Sequence, residues 1–217
     1  MLFVVLSAAS VLRADRLVVN GQIRKGLTVT AIDGRQVNVK GLDAPIADVD
    51  QVILEHAALP QAATGILLTD GSRLAGSILD RNTEQVTFYS VAIGRLILPA
   101  AQVAGVFYQP AEDWRDVEVT PPALITRSGE VVQARRILWA DHETAAVLTA
   151  GGLRKFPVSS VSRVLWSTPG TTATLTLRNG DVINTPLTFR GQHFSFTLGG
   201  REHRLPLKAA THIHFSK

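Results

Sequence analysis

The sequence predicts an all-β protein made of four tandem small five-stranded barrel units, each with a single helical turn before its last strand. Three observations carry this. A turn glycine is followed by a proline at a similar distance four times: Gly21 and Pro45, Gly71 and Pro99, Gly129 and Pro157, Gly180 and Pro206. From each proline one apolar spacing then runs on without gaps. Its fourth position is Val49, Val103, Val161 or Ala210, its seventh Val52, Val106, Val164 or Ile213, and its ninth Leu54, Tyr108, Trp166 or Phe215. No long stretch has helical periodicity, whereas short segments alternate apolar and polar residues as half-buried strands do.

Residues 1–15 open on MLFVVLSAASVLRA, an apolar run ending in small residues, which reads as an export signal whose basic start is missing. The competing reading is an N-terminal strand packed on the first unit. Residues 16–55 form that unit, in degenerate form, and residues 65–109 the clearest one. There Ile66–Thr69 is a short strand and Asp70-Gly71 a turn in which glycine supplies φ > 0. Leu74, Gly76 and Ile78 alternate with polar neighbours, Asp80–Glu84 is a polar turn, and Val86 and Phe88 share one face of the next strand. Leu96 and Leu98 alternate again, and Pro99 ends their strand because it has no N–H for a ladder. Ala100–Gln102 leaves room for one helical turn, after which Val103, Val106 and Tyr108 carry the last strand.

Residues 123–167 and 172–217 repeat this scheme. Five positions after each turn glycine stands a small residue (Gly26, Gly76, Ala134, Thr185), where a tiny barrel has to bend sharply. Units of about 45 residues bury little surface alone and are expected to lean on one another. Segment 109–122 is acidic and closed by a double proline, so it is expected to be the hinge between two halves.

With Leu68, Gly71, Leu74 and Gly76 in place, the repeat resembles the Sm-like and Src-homology-type small barrels, and more generally the accessory barrels of exported bacterial proteins. The resemblance implies five short bent strands with a helical turn before the last, and assembly through exposed strand edges. It does not imply RNA reading. Sm proteins read RNA with an Asp/Asn pair between two strands and an Arg-Gly near the last. Here those places hold Asp80-Arg81-Asn82-Thr83-Glu84 and Val103-Ala104-Gly105.

Composition narrows the chemistry. With no cysteine there are no disulfides, thiolate metal sites or cysteine nucleophiles, and no run approaches the roughly 20 apolar residues of a membrane-spanning helix. No catalytic motif and no cofactor signature is present, so a non-enzymatic protein is expected. The net charge of +4 is uneven: residues 1–122 carry ten Lys/Arg against thirteen Asp/Glu, and residues 123–217 twelve against five. The basic half makes Arg135, Arg136, Arg154, Lys155, Arg201, Arg204 and Lys208 candidates for holding a polyanion, against the plainer reading of solvated strand faces. His212 and His214 are two apart on one strand and so share a face, where His203 from the preceding strand could join them as metal ligands. Exposed strand residues are the plainer reading here too. The function expected is an exported binding or assembly module that contacts protein or cell-surface polymer, with strand edges as a route to self-association. Polyanion binding through residues 123–217 is the alternative.

Overall fold

The computed structural model describes residues 15–33, 35–40, 42–55, 63–167 and 174–215. Residues 1–14, which hold nearly all of the expected signal segment, lie outside them, while Asp15 begins the first strand. The chain is all-β, with short 3-10 turns and several sheets. No helix among the described residues is long and apolar enough to cross a membrane.

One order of elements recurs in the four sequence repeats. Unit 1 holds β1 (Asp15–Val19), β2 (Gln22–Leu27), β3 (Val29–Ile32), β4 (Gln36–Val39), β5 (Leu42–Pro45) and β6 (Val49–Ile53). Unit 2 holds β7 (Gly65–Leu68), β8 (Arg73–Arg81), β9 (Gln85–Ser90), β10 (Gly94–Pro99) and β11 (Val103–Phe107). Unit 3 holds β12 (Ala123–Thr126), β13 (Val131–Gln133), β14 (Arg136–Ala140), β15 (Thr144–Thr149), β16 (Gly152–Pro157) and β17 (Val161–Leu165). Unit 4 holds β18 (Leu175–Leu177), β19 (Val182–Ile183), β20 (Thr188–Arg190), β21 (His193–Leu198), β22 (Arg201–Pro206) and β23 (Ala210–His214). In each unit the proline ends a strand and one 3-10 turn follows. That turn closes when the N–H of Val49, Val103, Val161 or Ala210 donates to the carbonyl three residues back.

The second strand of the repeat is where the units differ from five plain strands. In unit 2, Gly76 takes φ +150° and β8 stays continuous through its bend. Just after the matching Gly26, and at Ala134 and Thr185, the ladder breaks, and one bent strand becomes two. The front part then joins a 14-stranded sheet, while the back part joins a three-stranded one. The expected closed barrels are therefore not seen: among the described residues the large sheet is an open path from β13 to β2.

That path also sets the order of the units. First and last strands of each unit pair (β1 with β6, β7 with β11, β12 with β17, β18 with β23). Units 2 and 3 join through β11 and β17, units 1 and 4 through β6 and β23, and units 2 and 4 through β8 and β19. The order in space is thus 3, 2, 4, 1. Each joint is close to two-fold symmetric. Val106 lies opposite Val164, and Val52 opposite Ile213, all four from the seventh position after the proline. At the third joint Val182 lies opposite Arg73, each two residues after its turn glycine. There the Asn184 N–H donates to Ser72 Oγ (2.8 Å), and the Ala75 N–H donates to Asp181 Oδ1. Burial raises the Asp181 carboxyl to about 6, against the bonds from Ala75, Asn179 and Ser90 that favour its charged form.

One continuous apolar core runs through all four units, from Leu17 and Val52 through Val106 and Leu124 to Ile213. A second layer lies on the far side of the sheet, where Leu67, Ala104, Phe107, Ile125 and Leu165 are covered by Trp114, Val117 and Val119. Segment 109–122 is therefore a strap across units 2 and 3 rather than a hinge. The Trp114 ring meets Phe107 edge-on at 5.7 Å and carries the Arg163 guanidinium 4.6 Å from its centroid, while its Nε1–H donates to the Gln109 carbonyl (2.8 Å).

Candidate functional site

The two-fold joint of units 2 and 3 leaves a cleft of about 460 Å³ beside it. Its apolar walls are Ile78 on β8, Phe88 on β9, and Val106, Phe107 and Tyr108 at the end of β11. Unit 3 supplies the other wall with Ala140 at the end of β14, His142 from the β14–β15 turn and Val158 from the 3-10 turn. Such a volume, apolar with a few convergent polar groups, has the make-up of a small-ligand or peptide site.

Four polar groups define the rim. Arg127 is spoken for: its Nη2 donates to the Tyr108 carbonyl (2.9 Å) and its Nε to that of Val161 (3.5 Å), tying unit 3 to unit 2. Asp141 turns one oxygen to the N–H groups of Thr144 and Glu143, both at 2.7 Å, and these bonds hold its carboxyl below the usual range. Tyr108 is buried, and desolvation, helped by Asp141, pushes its hydroxyl well above the usual value. Arg81 ends β8 with its guanidinium 4.3 Å from the Trp166 centroid, and desolvation lowers its pKa. These groups can hold and orient a ligand. Sequence reasoning passed over all of them. Asp80–Glu84 reads as a turn, yet β8 runs on through Arg81, and the turn proper is built by Asn82 Oδ1, which accepts from Glu84 and Gln85.

The basic candidates do not converge. Residues paired across strands share a face, so Arg136 (opposite Leu148) and Lys155 (opposite Ala146) lie together on the outer face of β14–β16. Arg154 pairs with the buried Val147 on the other face, stacks on Phe156 at 4.8 Å and meets Glu130 at 3.6 Å. Arg135 is exposed just before β14. Arg201 and Arg204 are three apart on β22 and point to opposite faces, and Lys208 sits exposed in the last 3-10 turn. The seven residues thus form no single surface.

The histidine trio is corrected as well. Among the described residues no group of three His, Cys, Asp or Glu could hold a metal ion. His203 belongs to the small sheet of unit 4, where it stacks on Phe196 at 5.6 Å and its Nε2 lies 3.2 Å from the Leu198 carbonyl. His212 and His214 belong to β23 in the large sheet, exposed as expected, with His212 Nδ1 3.2 Å from Thr211 Oγ1. Between them the chain turns at Pro206 and Leu207–Ala209, leaving β22 in the small sheet and taking β23 into the large one.

Two further surfaces stand out. The outer face of β14–β16 leaves Trp139, Leu148 and Leu153 exposed beside Arg136 and Lys155, with the Lys155 ammonium 5.4 Å from the Trp139 centroid. At the end of the large sheet, β2 is exposed from Gln22 to Gly26, and its Arg24 and Lys25 discourage edge pairing. Compared with protein-family models, with curated proteins and with solved structures, the chain matches none of them.

Proposed function

We propose that the chain is an exported, non-enzymatic binding module whose four units are of the Sm-like, Src-homology type, and that it takes an apolar segment of a partner into the cleft between units 2 and 3. The fourfold order of elements, with its proline, 3-10 turn and last strand, supports the unit type. The observation that carries the binding reading is the cleft itself, apolar within and polar at the rim. Peptides selected from a display library on the wild-type chain test it. They are expected to lose binding to Ala140→Trp, a half-buried wall position where an indole fills the space. Equal binding to both proteins overturns the reading.

Polyanion binding stands second, favoured by Arg136 and Lys155 on one exposed face, with β15 between them. Its reach is two cations rather than seven, so it describes a charge that tunes association.

A further inference from the structure

Charge bookkeeping around the cleft singles out one group. Arg127 is held by two of its five N–H donors on backbone carbonyls, and Asp141 has an oxygen on two backbone N–H groups. His142 lies 3.7 Å from the Glu143 carboxylate, so that pair turns on itself. Arg81 is different. Trp166 covers one face of its guanidinium, and among the described residues its side chain has no hydrogen-bond acceptor and no carboxylate within ion-pair distance. It lines a space whose other walls are Ile78, Phe88, Val106 and Tyr108.

A guanidinium presents a planar fork of N–H donors that matches a carboxylate two bonds at a time, and stacking on an aromatic ring fixes its plane beforehand. One unengaged cation answers one negative charge. A phosphate dianion would need a second unengaged cation, and the Asp141 carboxylate on the same rim works against the extra negative charge. The apolar walls call for an apolar body next to that charge.

We propose that the cleft binds an apolar body ending in a single carboxylate, seated with that carboxylate on the Arg81 guanidinium. This rests on the cleft being the binding site. Two sources share the chemistry: the C-terminus of a peptide whose last residues are apolar, and a medium-chain fatty acid.

The test titrates four probes into the full chain: acetyl-Ala-Leu-Phe as free acid and as C-terminal amide, and decanoate with decanol. Wild type, Arg81→Gln and Ala140→Trp are compared, with Arg81→Lys as a variant that keeps the charge but not the fork. Melting temperatures check that each variant is folded. The acid of at least one pair is expected to bind wild type about tenfold more tightly than its neutral partner. That preference is expected to vanish in Arg81→Gln, to recover in part in Arg81→Lys, and to disappear with all binding in Ala140→Trp. The pair that shows it identifies the source. If acid and neutral forms bind equally and Ala140→Trp still blocks them, the carboxylate inference is overturned while the cleft reading stands. If no probe binds, or Ala140→Trp has no effect, both fall.

Discussion

Val106 lies directly across the β11–β17 ladder from Val164, and both are buried at the joint of units 2 and 3. The same position in units 1 and 4 puts Val52 against Ile213. A charge at this joint has no partner and no water. Val164→Asp is therefore expected to cost about 3–5 kcal/mol, and Ile213→Val about 1 kcal/mol, in urea unfolding. An unchanged unfolding midpoint for Val164→Asp contradicts the joint.

Glycine is required at the β8 bend for two reasons. Gly76 has φ +150°, and a Cβ there would stand 1.9 Å from the Tyr89 carbonyl oxygen. Gly76→Ala is expected to destabilise by about 3 kcal/mol or more. Gly94 also has a positive φ, +89°, but an added Cβ meets nothing within 4 Å. Gly94→Ala should cost only the backbone strain, about 1–2 kcal/mol. Equal losses in the two variants would remove the steric part of the argument.

Asp181 couples the joint of units 2 and 4 to pH. Its folded value of about 6 lies above the ordinary 3.8, so the folded chain keeps a proton that the unfolded chain releases between those values. The stability from this proton is complete below the window and lost as pH rises through about 6. The gap corresponds to about 3 kcal/mol at most. Asp181→Asn is expected to abolish this contribution, so that the difference between wild type and variant changes across pH 4 to 7. A difference independent of pH sinks the assignment.

The strap can be tested through Trp114, which packs on Phe107 and lies under the guanidinium groups of Arg73 and Arg163. Trp114→Ala is expected to lower stability by about 3 kcal/mol. Tryptic cleavage at Arg115, within the strap, should quicken as well. Cleavage no faster than in wild type would return segment 109–122 to the role of a hinge.

Heparin retention of the full chain checks the basic face. Weak binding, lost at moderate salt, is expected, because each phosphate or sulfate contact releases counterions. Arg136→Glu with Lys155→Glu should remove it, and Arg201→Glu with Arg204→Glu should not, since those two diverge. Equal effects from the two pairs would show that net charge alone is read.

Much of the fold was legible because it rests on local rules. Proline has no N–H, so Pro99, Pro157 and Pro206 each had to end a strand, and a single 3-10 turn then leads into the last strand of the unit. The spatial order of the units was not legible, because pairing such as Val106 with Val164 depends on edges that look alike in every repeat. The cleft was hidden for a related reason. Arg81 reads as a turn residue and Tyr108 as core, and only the joint brings both to one wall. Asp181 carries no signal of its own in the sequence, since nothing in Asn179-Gly180-Asp181 says that another unit will bury it.

The placement of unit 1 beside unit 4 has a consequence for how the chain is made. Synthesis runs from the N-terminus, so units 2 and 3 can close on each other as soon as both have left the ribosome. Unit 1, which emerges before the other three, has to wait for unit 4, because the β6 edge at Val52 is completed by Ile213. Until then the growing protein carries an unpaired apolar strand edge, the kind of surface that chaperones hold and that drives misassembly. Chains cut short within unit 4 should therefore aggregate through β6, although three of their four units are complete.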